Sequence, residues 1–192
     1  MAKLIYPTNV SLDGYIEDEQ GTFDWFPVDD EVFAAHTELM RSVGTLLYGR
    51  RLYESMAVWE TNTDLAAQST QMGDFADAWQ APTKVVYSRT LTTAPTSATR
   101  IERDFDVAAV RDLEAGAGRD LLVGGANLAA QAVKAGLVDE ILLFVLPIVV
   151  GGGKPGLPTG VRADLELMDE HRFGNGVMRL RYRLLASRPS AT

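Results

Sequence analysis

Three short segments carry the residue types best suited to hold an anion. In Leu121-Leu122-Val123-Gly124-Gly125-Ala126-Asn127-Leu128 an apolar run ends in two glycines and a helical pattern begins at once. Glycines at such a turn let a bulky anionic group approach the backbone, and the first N–H groups of the helix have no intrahelical acceptor. A Gly-Gly pair also makes a plain tight turn, and the pair alone does not decide between the two. In Tyr48-Gly49-Arg50-Arg51-Leu52-Tyr53-Glu54-Ser55 a glycine again stands where strand becomes helix, now followed by two arginines. Cations at a helix start oppose its dipole, and a bound anion would relieve that conflict. Val85-Val86-Tyr87-Ser88-Arg89 ends a third apolar run with a hydroxyl and a guanidinium. A guanidinium recognises phosphate through several donors at once.

The elements that must position these segments follow from periodicity. After Ala126, the residues Leu128, Ala129, Ala132, Val133 and Leu137 form one helical stripe, stopped at Gly136. Leu4 to Val10 reads as a first strand, with Pro7 favouring an edge position or a bulge. Asp29 or Asp30 can cap a helix carrying Val32, Phe33, Leu39, Met40 and Val43. Thr45 to Tyr48, Thr83 to Ser88 and Arg100 to Glu102 read as strands, and Asp106 to Ala115 as a helix. The polar, Ala-rich stretch from Thr61 to Gln80 reads as a surface excursion, helical around Met72 to Trp79. Val138-Asp139-Glu140 opens a long strand, Ile141 to Val150, with Asp139 and Glu140 expected on its solvent side. Gly151-Gly152-Gly153-Lys154-Pro155-Gly156 then either binds phosphate or is mobile, and lacks the P-loop spacing. Leu165 to Phe173 and Val177 to Leu185 flank Gly174-Asn175-Gly176, a strong hairpin signal. Strands alternating with helices before a closing hairpin predict an α/β fold with a mixed sheet covered on both faces. Ligands collect at the carboxyl ends of such strands.

Composition narrows the function further. A net charge of −8 argues against nucleic acid as a partner, because that affinity rests on clustered Lys and Arg. The absence of cysteine excludes disulfides, thiolate metal sites and a cysteine nucleophile, and fits a cytoplasmic protein. No apolar run reaches membrane-spanning length, so no membrane association is expected. His36 and His171 show no ligand spacing, so no metal is assigned, and neither Ser11 nor Ser55 sits in a nucleophile elbow. The long loop with Phe23, Trp25 and Phe26 ahead of Pro27 is either a functional lid or a cover for the core.

Taken together, Tyr48 to Ser55, Val85 to Arg89 and Val123 to Asn127 resemble the dihydrofolate reductase superfamily. The motifs Ser11-Leu12-Asp13-Gly14, Gly136-Leu137-Val138-Asp139-Glu140 and Pro147-Ile148-Val149-Val150-Gly151-Gly152-Gly153 narrow the resemblance. They are similar to the C-terminal reductase domain of the bacterial riboflavin-biosynthesis deaminase-reductase. The resemblance implies a dihydrofolate-reductase-like three-layer fold over residues 1–186, with 187–192 as a flexible tail. It implies NADPH as cofactor and hydride transfer to a small heterocyclic or imine-type substrate, pterin-like or riboflavin-precursor-like.

By the same resemblance, Gly49, Arg50 and Arg51 contact cofactor phosphates, and Ser88 and Arg89 take the adenosine 2′-phosphate. Gly124 and Gly125 match a pair joined by a cis peptide close to the cofactor, and Ala126, Asn127 and Leu128 face the pyrophosphate. Asp30 lies near the place of the acid in dihydrofolate reductases proper, with N-capping as its competing role. The loop around Trp25 is expected to close over the nicotinamide. The resemblance further implies a homodimer that buries the strand from Ile141 or the final hairpin. A non-catalytic nucleotide-binding module on the same fold is the alternative to a reductase.

Overall fold

Apolar runs and amphipathic segments alternate along the chain, and they assemble into three layers in the computed structural model, which describes residues 2–25 and 29–185. The elements in chain order are β1 (Leu4–Ser11), β2 (Tyr15–Glu17), α1 (Asp30–Ser42), β3 (Val43–Gly49), α2 (Arg50–Met56), α3 (Val58–Thr61) and α4 (Thr63–Ala66). There follow α5 (Thr70–Gln80), β4 (Thr83–Tyr87), β5 (Thr99–Glu102), α6 (Val107–Gly116), β6 (Asp120–Gly124) and α7 (Ala126–Lys134). The chain closes with β7 (Glu140–Leu146), β8 (Lys154–Pro155), β9 (Leu165–Arg172) and β10 (Met178–Leu184).

An eight-stranded sheet has the order β5-β4-β3-β6-β1-β7-β10-β9. The strands from β5 to β7 run parallel, and β10 is antiparallel to both β7 and β9. Leu4, Tyr6, Leu47, Val85, Leu121 and Val123 pack on one face against Val110 of α6 and the stripe Leu128, Ala129, Ala132 and Val133 of α7. On the other face Leu46, Tyr48, Val86 and Leu122 meet Met40 of α1 and Phe75 and Trp79 of α5. This is the expected mixed, mostly parallel sheet with helices on both faces and a terminal antiparallel hairpin. No helix among the described residues is long and apolar enough to cross a membrane.

Several local expectations are corrected. Pro7 lies in an interior strand, but the last β1–β6 pair is Ile5 with Leu122, so one flank of β1 has no sheet neighbour at Pro7. The strand from Glu140 ends at Leu146, because Pro147 cannot donate to a ladder. The segment before β4 is no mere surface excursion, since Phe75, Ala76, Ala78 and Trp79 are buried, with Phe75 4.7 Å from the Trp59 ring. Lys84 is fully buried beside it and donates to the carbonyls of Gln80 and Pro82 at the end of α5. The paired strands β2 and β8 were not expected. The tail from Ala186 lies outside the described residues.

Glu140 also departs from expectation. It is 2 % exposed, accepting from Lys3 Nζ and from Arg181 Nε, each at 2.6 Å. Burial opposes its ionisation, but these two cations outweigh it and hold the carboxyl below the usual range. One carboxylate thus ties the leading ends of β1 and β7 to β10. The variant Glu140→Ala is expected to lose about 2 kcal/mol in urea unfolding, a large cost for one surface-proximal contact, because both cations lose their partner.

A second prediction concerns pH. The ring of His36 on α1 lies tilted against the Phe144 ring, their centres 4.1 Å apart, and burial pushes its imidazole down to about 4. The unfolded imidazole titrates near 6.5, so between these values the unfolded chain takes up a proton that the folded chain refuses. The contribution is complete above about pH 6.5 and falls as pH drops toward about 4. Urea midpoints compared at about pH 7.5 and about pH 5 should show His36→Gln losing about 2 kcal/mol less than the parent chain.

Candidate functional site

The three segments singled out by residue type converge at the carboxyl edge of the sheet. β4, β3 and β6 are adjacent, with Tyr48 in register with Gly124, and Gly49 in register with Tyr87. Their chain directions agree, so the turns after Gly49, Tyr87 and Gly124 leave the sheet side by side. A Cβ built on Gly124 would lie 2.5 Å from Leu52 Cδ2 and 2.8 Å from Tyr48 Cε1, so a larger residue would force these side chains to shift. A Cβ on Gly125 would stand 3.8 Å from the Gly49 amide nitrogen, which places two glycine backbones against each other.

The expected cis peptide between Gly124 and Gly125 is absent, all described peptide bonds being trans. Gly125 instead makes the turn at a φ of +92°, a left-handed backbone conformation that favours glycine. From there α7 starts, and the N–H of Ala129 is already bonded to the Gly125 carbonyl. The amides of Ala126, Asn127 and Leu128 thus precede the first amide that has an intrahelical acceptor.

The starts of the longer helices α1, α5 and α6 are closed by side chains. Asp29 caps α1, Ser69 caps α5 and Asp106 caps α6. Neither α2 nor α7 has a capping side chain or an acidic residue in its first turn. These two starts, unlike the uncapped start of the short α3, follow a glycine and emerge from the adjacent strands β3 and β6. That leaves positive partial charge directed at one place, where an anion is stabilised. Asn127 is exposed, whereas Leu128 is buried and anchors α7 to the core.

The arginines lie around this edge. Arg50 Nη1 reaches both oxygens of Glu54 at 3.1 and 3.2 Å, and Arg51 is exposed. Ser88 is buried, and its hydroxyl accepts from the amides of Thr90 and Leu91. It shapes the turn that presents Arg89, whose guanidinium projects outward and pairs with Asp104. Sequence reasoning missed Arg103, whose Nη1 donates to the carbonyls of Ser88 and Leu91 at 3.1 and 2.8 Å. The available signal was the basic-acidic pair Arg103-Asp104 just beyond β5, the neighbour of β4.

The start of α1 is arranged differently from the expectation around Asp30. Asp29 is the cap, accepting from the amides of Glu31 and Val32, and Asp30 is the exposed first residue of the helix. Glu31 accepts from the Gly174 amide and joins α1 to the hairpin turn. Trp25 packs on the cluster of Ile5, Val32, Phe144 and Phe173. Phe26 and Pro27 lie outside the described residues.

The Gly-rich loop after β7 is tied down by the rest of the chain rather than a free segment. Asp13 accepts from Val150 and Gly151, Tyr6 Oη donates to the Gly156 carbonyl, and a Cβ on Gly153 would fall 2.0 Å from the Glu17 carbonyl oxygen. Its glycines permit close packing against the loop 11–17. Among the described residues no group of His, Cys, Asp and Glu is placed to hold a metal ion.

Comparison with known proteins agrees with this architecture. The chain is 29% identical to YyaP, an uncharacterized protein of Bacillus subtilis, over 182 residues and 94% of each sequence. A Shewanella protein named for riboflavin biosynthesis superposes with a TM-score of 0.76 at 23% identity, covering 97% of this chain and 100% of that one. The deaminase/5-amino-6-(5-phosphoribosylamino)uracil reductase of Thermotoga maritima gives a TM-score of 0.64 at 15% identity, over 96% of this chain and 57% of that one. At such identities these structures establish the shared fold. The model of the RibD C-terminal domain matches residues 2–178, and with that match over nearly all of its length the chain belongs to the RibD C-terminal domain family.

Proposed function

We propose that the protein is an NADPH-dependent reductase acting on a small heterocyclic or imine-type substrate. The observation that carries this reading is the meeting of two uncapped helix starts and an arginine-bearing turn on adjacent parallel strands. The residues present fit a dinucleotide, because Gly49, Gly124 and Gly125 leave the backbone bare where side chains would otherwise fill the turn. The family supports a reductase-type scaffold.

When bound, NADPH would supply a hydride from the nicotinamide C4, and the protein would supply position and electrostatics. The amides of Ala126, Asn127 and Leu128 would hold the pyrophosphate, with Gly49, Arg50 and Arg51 adding donors and charge from α2. Ser88 would fix the turn, and Arg89 would take the 2′-phosphate. Trp25, at the edge of the apolar cluster under α1, would exclude water from the reacting end. Asp30 is the candidate proton donor, since its carboxylate faces solvent at the helix start while the Asp29 and Glu31 carboxylates are committed to backbone amides.

That same commitment favours a second reading, a nucleotide-binding module without turnover. Oxidation of NADPH by any pterin, riboflavin-precursor or imine acceptor would exclude it.

We further propose that the protein is a homodimer, joined through the terminal hairpin. One face of the hairpin carries the pairs Arg179–Asp169, Arg181–Glu140 and Arg183–Glu166. The opposite face turns Met178, Leu180 and Tyr182 outward beside Leu143 and Val145 of β7, with Leu167 48 % exposed. A shallow depression of about 220 Å³, lined by Val10, Leu143, Val145, Pro155 and Leu157, continues this apolar surface.

Two tests follow. Titration with NADPH and NADH, read by tryptophan fluorescence and thermal stabilisation, should show a clear NADPH preference. Arg89→Ala should weaken NADPH at least tenfold and NADH little, on the order of one charge-assisted phosphate contact, with Arg50→Ala acting in the same direction. Equal losses for both nucleotides would remove the 2′-phosphate assignment. For assembly, mass measurement in solution should find a dimer, and Leu167→Asp, at a position already exposed in the single chain, should convert it to a folded monomer. A parent chain that is monomeric at micromolar concentration would overturn the dimer.

A further inference from the structure

Arg89 and Asp104 are both far out in solvent, with side chains 82% and 69% exposed. The Nε of Arg89 donates to Asp104 Oδ1 at 3.0 Å, and Nη2 donates to the same oxygen. The side-on edge of the guanidinium, one of its two bidentate forks, is therefore occupied by an anion that belongs to the protein.

The pair does not hold the loop together. Arg103 clamps the carbonyls of Ser88 and Leu91, the Ser88 amide donates to the Glu102 carbonyl, and the Ser88 hydroxyl closes the turn on Thr90 and Leu91. Neighbouring acids are engaged elsewhere, Glu102 with Arg100 and Asp106 with the start of α6. The side-chain partner that the structure gives Asp104 is the Arg89 guanidinium. An exposed pair of this kind adds little to stability.

We propose that Asp104 is a specificity-determining residue that occupies Arg89 in the free protein and competes with a nucleoside 2′-phosphate for it. This rests on the assignment of Arg89 to that phosphate. An incoming 2′-phosphate must displace Asp104 from the guanidinium edge or bind beside a carboxylate of like charge. A nucleotide with a free 2′-hydroxyl meets neither obstacle. Asp104 therefore narrows the advantage of NADPH over NADH, and does so most at low ionic strength, where exposed charges are least screened.

The test uses the full chain and the variants Asp104→Ala, Arg89→Ala and the double variant, each checked for unchanged thermal unfolding without ligand. NADPH, NADH and adenosine 2′,5′-bisphosphate are titrated at low salt and at about 0.5 M salt. Asp104→Ala should tighten NADPH and the bisphosphate about five-fold at low salt, change NADH by less than about two-fold, and lose most of that gain at high salt. The double variant should show no gain. Weaker NADPH binding in Asp104→Ala would make the residue a support for Arg89 and overturn the proposal, as would an equal gain for NADH. An NADPH preference in the parent chain that Asp104→Ala leaves untouched would overturn this proposal alone. Failure of both the parent chain and Asp104→Ala to bind any of the three ligands would overturn it together with the cofactor reading.

Discussion

The structure depends on the close approach of two stretches of bare backbone, Gly49 at the end of β3 and Gly124–Gly125 at the end of β6. The parallel register of Tyr48 with Gly124 brings the two turns together, and the side chains of Leu52 and Tyr48 occupy the space that a Cβ at Gly124 would need. A side chain at Gly124 would have to displace Leu52 and Tyr48, whereas at Gly125 the constraint is the left-handed φ of +92°. Because both helices begin without a capping side chain, their open amides face the same edge rather than being satisfied within the chain. The consequence is an edge with two helix starts that no side chain closes, in a protein whose other long helices are closed by Asp or Ser.

Charge in this acidic chain is distributed with the same economy. Arg50 is matched by Glu54, Arg89 by Asp104, and the arginines of β10 by Asp169, Glu140 and Glu166. Most of these pairs are exposed and contribute little to folding. Glu140 is the exception, because its carboxylate is buried and its cations arrive from the residue before β1 and from β10. It secures the amino end of the sheet, and the glycine turns shape the carboxyl end. The buried ion pair and the open helix starts thus lie at opposite edges of the sheet.

The hairpin extends the sheet beyond the reach of α6 and α7. Alternation along β10 directs Arg179, Arg181 and Arg183 to one side and Met178, Leu180 and Tyr182 to the other. The charged side satisfies itself within the chain. Among the described residues the apolar side has no helix of its own, which is the physical basis for proposing that a second copy of the protein covers it.

Much of this was legible in the sequence because the signals were local. Glycine at a strand-to-helix turn, the 3.6-residue stripe after Ala126 and the Asn-Gly hairpin each state a backbone preference within a few residues, and together with the family resemblance they gave the layered fold and the grouping of Gly49, Arg89 and Gly125. Other features needed the tertiary structure, because their cause is a partner distant in sequence. Glu140 is buried because Lys3 and Arg181 reach it, Phe75 and Trp79 become core because α5 lies on the sheet, and Pro7 is tolerated inside the sheet because β6 has already stopped pairing. The same holds for Asp104, which matters only because the parallel pairing of β4 with β5 sets the loop after one beside the loop after the other. Local backbone preference is written in neighbouring residues, whereas the state of a charge is decided by whatever the fold places next to it.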